Sequence, residues 1–291
     1  MAAGALAVIV ATLVATRGHI ATTRAEDLST GYKSLQLLGT ALIGLPAAIG
    51  MFWGAPLLAR ELELGTHRLA WTQGVTRTRW LAIKLGLLGA AAAVVTGVFT
   101  LVFTWWSLPL DVGGNRIGTA NFGQRGIVPV AYALFALALG TLVGAVVRRT
   151  LPAMAITLVG FFAVRFSVQL LVRPRLIDPV ELSTPTTMFG SGSSASGSGA
   201  WVLTSSTVDS AGHALSSSTA DQLMVETCHL TRDSGDVAWA RCAKQVGLHD
   251  VISAHPASHF WPLQIWEAAA FGVLAIVLAA LAVWWVRHRP S

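Results

Sequence analysis

The chain reads as an all-α membrane protein: a six-span helical bundle with an external loop domain of mixed structure. Three observations predict this. Its 291 residues are only 12% charged and its mean hydropathy is +0.62, which leaves too little polar surface to cover a soluble globule. Apolar runs of span length recur along it. Its basic residues collect at the ends of those runs, where they set the orientation of a membrane protein. The formal charge of +6 therefore does not point to nucleic acid, which would require one basic stripe or face. Lys33, Lys84 and Lys244 are the only lysines beside many arginines, and with the Ala and Gly richness this fits a GC-rich bacterial genome.

Residues 1–16 are apolar but few. At about 1.5 Å per residue they do not comfortably cross a hydrocarbon layer of about 30 Å. They also lack the basic start and small-residue cleavage site of a signal peptide. They are expected to be the remainder of a first span whose beginning is missing, or else a short, tilted or interfacial anchor. Residues 17–34 are a polar connection, and 35–58 are the second span. Gly39, Gly44, Pro46 and Gly50 lie inside it; lipid tolerates helix breakers only where neighbouring helices satisfy the freed backbone groups, so they argue for a packed bundle.

The third span is 85–108, closing on Trp105 and Trp106 at an interface. A Gly- and Asn-containing loop over 111–126 leads to the fourth span at 127–147. The Arg148-Arg149 turn separates it from the fifth at 151–172. The sixth, 263–286, ends in Arg287-His288-Arg289, with Trp261 and Trp266 suited to one interfacial belt and Trp284 and Trp285 to the other. Six spans place both termini on one side. Segment 59–84 holds five basic residues, the 148–150 turn two and the tail two, against five in loops 17–34 and 109–126 together. The basic side is the cytoplasmic one.

The long 173–262 region is then external. It contains the flexible low-complexity run FGSGSSASGSG at 189–199, a predicted strand at 201–208, a turn at 209–212 and a short helix at 236–246. Cys228 and Cys242 are the only cysteines; an oxidising compartment permits a disulfide between them, with two free thiols as the alternative. His229, His249, His255 and His259 match no zinc spacing and read as solvated loop residues, so no metal site is expected. The domains are thus 1–172 for the first five spans, 173–262 for the external loop domain, and 263–291 for the last span and cytoplasmic tail.

Two groups of residues are candidates for function. Arg165 and Gln169 lie one turn apart inside the fifth span, and an ionisable group there requires a partner or a wet cavity. With the fifth and sixth helices antiparallel, Arg165 sits about 12 Å below the outer end and Glu267 about 6 Å, a gap that a long Arg side chain closes. The two are expected to pair, as a polar element of a path through the bundle or its outer gate, or as an ion pair that fixes helix register; snorkelling of Arg165 is a third possibility.

The second group lies in 59–84, ARELELGTHRLAWTQGVTRTRWLAIK. It is polar, has helical periodicity and sits between two apolar runs, as a segment on a membrane face or against a partner does. Arg60-Glu61-x-Glu63-x-Gly65-Thr66, followed by Arg77 and Lys84, resembles the R-E-x-E-x-G-T…S-R…K pattern of type-2 ATP-binding-cassette exporter permeases. Gly74-Val75-Thr76-Arg77 stands where that family has Pro-Val-Ser-Arg. Pro256-Ala257-Ser258-His259-Phe260-Trp261, followed by a Gln and a Glu, is similar to a stretch of actinobacterial members.

The resemblance implies a cytoplasmic coupling helix at 59–84 that docks on a separate ATPase subunit. Its contacts would be Glu61, Glu63, Gly65, Thr66, His67, Arg68, Gln73 and Arg77, which offer charge and amide hydrogen bonds. It further implies a homodimer or close heterodimer of permeases in a bacterial plasma membrane. The alternative for the segment is an interfacial helix on anionic lipid.

The chain has no GxxxxGK[ST] phosphate loop; Gly31-Tyr32-Lys33-Ser34 lacks the first glycine. ATP and magnesium would therefore be held by the partner subunit, with no cofactor on this chain. HExxH and GxSxG patterns are also missing, so the chain is not read as an enzyme. The spans show no dense polar lining, which points to an amphipathic or hydrophobic cargo. The competing reading is a non-transporting membrane sensor that binds a ligand through 173–262. A secondary transporter would show an inverted repeat with matched broken helices.

Overall fold

The computed structural model describes residues 43–64, 76–107, 117–118, 122–185, 200–231 and 234–288. The chain divides into two compact units, one of Met1–Leu110, Ala120–Arg173 and Pro262–Ser291, the other of Asp111–Thr119 and Pro174–Trp261. Among the described residues the first unit holds five helices long and apolar enough to cross a membrane. They are α1 (Ile43–Leu64), α2 (Arg77–Ser107), α3 (Val128–Val147), α4 (Thr150–Ser167) and α7 (Phe260–His288). Residues 1–16, expected as a further span, lie outside the described residues.

Close backbone packing joins α1 to α3. A Cβ at Gly50 would lie 2.6 Å from the Ala136 carbonyl oxygen, and one at Gly54 2.6 Å from that of Leu137. From the other side, Gly140 faces Gly50 and Ala55, and Gly144 faces Ala55 and Ala59. Small residues four apart on both helices let the backbones approach, which is how helices associate where lipid competes equally for apolar side chains. The Gly50–Gly54 stretch of α1 is a π turn, directly before Pro56, which has no N–H to give the Phe52 carbonyl. Hydroxyls inside the helices bond back to their own turns: Thr100 to Thr96 O (2.8 Å), Thr141 to Leu137 O (2.8 Å) and Thr157 to Ala153 O (2.7 Å). Such bonds satisfy groups that lipid cannot. An aromatic cluster joins α3, α4 and α7, with Phe271 edge-on to Tyr132 (4.7 Å) and Phe135 (5.2 Å), and Phe161 beside Phe135.

Three boundaries differ from the sequence reading. The second span does not stop at 58: α1 runs on to Leu64, because Leu58 and Leu62 pack with Leu81, Trp80 and Ala145. Likewise the third helix starts at Arg77 rather than 85. The two ends of segment 59–84 are therefore turns of spanning helices, and 65–75 lie outside the described residues. The fifth span does not end at 172; α4 continues through a π turn at Val168–Val172 into a 3-10 turn at Arg173–Arg175.

The second unit has a four-stranded antiparallel sheet of order β1-β4-β2-β3, built from β1 (Val180–Pro185), β2 (Trp201–Val208), β3 (Ala214–Leu215) and β4 (His249–His255). The strand expected at 201–208 is β2, and the expected turn closes with Gly212 N donating to Asp209 O at 3.0 Å. Helices α5 (Ser217–Cys228) and α6 (Asp236–Val246) bury Ala220, Met224, Trp239 and Ala243 against Leu248. A disulfide between Cys228 and Cys242 clips α5 to α6. His255 is not a solvated loop residue. It lies fully buried on β4, its ring tilted against Trp201 with centroids 5.3 Å apart and Nδ1 3.2 Å from Nδ1 of His259. Burial pushes its pKa below the ordinary histidine range.

Gly140→Leu should separate α1 from α3 and cost about 1–3 kcal/mol or more, read as a lower unfolding midpoint in detergent, whereas Gly272→Leu, where the space is open, should not. Cys228→Ser should remove about 3 kcal/mol from the second unit, the scale for a loop of 14 residues; reductant should have no further effect on that variant's unfolding.

Candidate functional site

A buried ionic cluster occupies the helix ends where α3 and α7 begin and α4 finishes. Glu267, two turns into α7, has no exposed surface, and neither has Arg173. The Arg173 guanidinium grips both carboxylate oxygens, Nε to Oε2 at 2.7 Å and Nη2 to Oε1 at 2.9 Å. Tyr132 of α3 donates its hydroxyl to the same carboxylate and receives Arg173 Nη2 at 3.3 Å. The Phe122 ring lies under the Arg173 guanidinium at 4.4 Å. A fork on a carboxylate, with further hydrogen bonds on the remaining lone pairs, is the geometry that lets a buried pair stay ionised.

The expected Arg165–Glu267 pair does not form. Arg165, 2% exposed, stacks over the Tyr132 ring at 4.6 Å and donates Nη1 to the Ile43 carbonyl at 3.4 Å. The reason is register. Once α4 continues past 172, Arg173 stands two turns nearer its end and reaches Glu267 first. Gln169, in the π turn of α4, is only partly buried and stays out of the cluster.

Sequence reasoning missed Arg173, Tyr132, Phe122 and Gln264. Signals existed for three of them: an arginine at the end of an apolar run, one of only two tyrosines in the chain, and a Gln three residues before Glu267 on the same helical face. Gln264 Oε1 accepts from Ile127 N and Val128 N, both at 3.1 Å, while its Nε2 donates to Phe122 O at 3.0 Å. It thus caps α3, which has no side-chain cap of its own. Gly126 must be glycine here, having φ of 71° and no room for a Cβ beside Gln264.

The opposite helix ends frame residues 65–75. Glu61 pairs with Lys84 of α2, whose ammonium sits 4.1 Å from the Trp80 ring centre. Glu63 Oε2 accepts from Thr150 N at 3.0 Å and Thr150 Oγ1 at 2.7 Å, capping α4 from α1. Gly65, Thr66, His67, Arg68 and Gln73 lie outside the described residues, and only the backbone of Arg77 is described, at the start of α2. Among the described residues no group of three His, Cys, Asp or Glu side chains could hold a metal ion.

Glu267→Leu alone strands a buried Arg173 and should cost about 3–5 kcal/mol, whereas Arg173→Met with Glu267→Leu should cost less than either single change. Thermal unfolding of the three variants measures this; simple additivity would refute the pairing.

Residues 3–173 match the family model described as ABC-2 membrane transporter related. No curated protein and no solved structure matches the chain. A match over more than half of the sequence, on a bundle of long apolar helices, makes this a multi-pass membrane protein. The chain belongs to the ABC-2 membrane transporter related family.

Proposed function

We propose that the chain is the permease subunit of an ATP-driven exporter in a bacterial plasma membrane, working by alternating access as a homodimer or heterodimer. ATP and magnesium sit on a separate ATPase subunit, the kind of partner that membership of the family implies. The observation that carries this reading is how the borders of segment 65–75 are fastened. Glu61 ties its leading edge to α2, and Glu63 ties it to the first turn of α4. A push on that segment from a nucleotide-driven neighbour is passed to α1, α2 and α4 together, which is what a coupling element must do.

In this reading the segment and both termini are cytoplasmic, as the basic-residue count favours. The second unit is then external, where its disulfide finds an oxidising compartment. The Arg173–Glu267–Tyr132 cluster becomes a latch near the outer ends of α3, α4 and α7. Largely apolar span surfaces favour an amphipathic or hydrophobic cargo. The second unit's compact, disulfide-clipped fold also favours the sensor alternative, in which it binds a ligand and no ATPase is recruited.

The test is co-expression with the separately encoded ATPase. The wild-type chain should co-purify it and support cargo-stimulated ATP hydrolysis in vesicles. Glu61 and Glu63, expected as docking contacts, are instead engaged by Lys84 and Thr150, so Glu61→Ala with Glu63→Ala should still co-purify the ATPase but lose stimulation about five- to tenfold, the scale of losing a helix cap and an ion pair. Failure of the wild-type chain to capture the ATPase would favour the sensor; full stimulation in the double variant would sink the fastening argument.

A further inference from the structure

A groove of about 550 Å³ runs between the first turns of α2 and the last turns of α7. Its floor is apolar, from Ala82 and Leu85 on one side and Ile276, Ala280 and Val283 on the other. Its far end is polar and basic, where Thr78, Arg287 and His288 stand exposed. None of the lining residues is acidic, and Glu61, on the adjoining α1, is held by Lys84. Trp284, 53% exposed, lines the groove beside the tilted His288 ring, with centroids 5.1 Å apart. An exposed Trp next to Arg and His marks headgroup depth on a membrane helix. From Ile276 to Arg287 the helix rises about 16 Å, close to half of a hydrocarbon layer of about 30 Å. The groove therefore has the length of one leaflet, with Arg287 where a phosphate would lie.

We propose that the groove binds one anionic phospholipid, an acyl chain lying between α2 and α7 and the headgroup phosphate held by Arg287 with Thr78. This rests on the membrane embedding of the bundle and is independent of the export reading. The charge arrangement selects this occupant. A zwitterionic lipid would leave a choline or amine against Arg287, and a second copy of the chain would bring its own Arg287 to the same basic end. Basic pockets between helix ends that bind anionic headgroups obey the same physics.

The test uses the full chain, purified in detergent and titrated with phosphatidylglycerol or phosphatidylcholine of identical acyl chains, read by native mass spectrometry. Phosphatidylglycerol should bind at least about fivefold more tightly, the scale of one basic contact, and this preference should shrink as ionic strength rises. Arg287→Glu should abolish the preference and Arg287→Lys should keep it. Ala280→Trp, which fills the acyl groove, should weaken phosphatidylglycerol at least about fivefold. Equal binding of the two lipids, a salt-independent preference, or an Arg287→Glu protein that still prefers phosphatidylglycerol would each overturn the proposal. So would an Ala280→Cys disulfide between two copies that forms undiminished at saturating phosphatidylglycerol, since the groove would then belong to a second copy.

Discussion

A carboxylate with no exposed surface, placed inside a membrane bundle, is the group on which the other arrangements depend. Glu267 is tolerable because Arg173 meets both of its oxygens and Tyr132 adds a third donor. The desolvation cost of such a pair cancels much of its attraction, so its main effect is to exclude other registers. Sliding α4 by one residue against α7 would leave two buried charges apart. The π turn at Val168–Val172 fits this: one widened turn rotates the helix end beyond it and brings Arg173 inward. Arg165 remains as a second buried cation, and the Tyr132 ring and the Ile43 carbonyl take it. Tyr132 thus serves two arginines at once, face to one and hydroxyl to the other.

Two helix starts take their caps from distant segments. The free N–H groups of a helix start need acceptors, and where the start is buried, as at Val128, they must find them within the protein. Helix α3 is capped by Gln264 from α7, and α4 by Glu63 from α1. Neither cap comes from the chain just before the helix, so each also acts as a clamp between segments distant in sequence. The α3–α4 hairpin is consequently held by α7 at one end and by α1 at the other. Glu63 adds a negative charge at the positive end of α4, which strengthens that hold.

Whatever depends on local pattern could be read from the sequence. The apolar runs located the described spanning helices, and β2 and α6 stand at the predicted 201–208 and 236–246. The two lone cysteines in one region located the clip between α5 and α6. Boundaries were less legible, because a helix continues past its apolar run when a charged residue at its end finds a partner. Leu62, packed beside Leu81 and Trp80, carries α1 on to Leu64, where Glu61 and Glu63 also find partners, and Arg173 carries α4 beyond 172. The choice of Arg165 over Arg173 for Glu267 failed for the same reason: the register depended on an unrecognised π turn. His255 was misread because its burial arises from β4 being an inner strand between β1 and β2, a pairing between segments far apart in the chain. Helix α5 was missed because its sequence, SSTADQLMVETC, has few apolar residues to mark a period.

Two kinds of helix contact separate within the first unit. Helices α1 and α3 touch through backbone, with glycines on both sides, and small residues in contact cannot slide without collision. Helix α7 is attached differently. Gln264 and Glu267 hold it at one end, Phe271 in the middle, and Val283, Trp285 and Val286 at the other. The ionic end is locked in register, but at the Val283–Val286 end only side chains with rotamers meet α2, and that contact shifts at lower cost than a backbone seam. The open groove lies beside this joint, between α7 and α2. Helix α2 is also the one that Glu61 fastens to the border of segment 65–75. Under the proposed cycle, a displacement that starts there meets a rigid α1–α3 block on one side and a compliant α2–α7 seam on the other. In that cycle the seam would be the joint that yields, and the lipid proposed for the groove would set how far it opens.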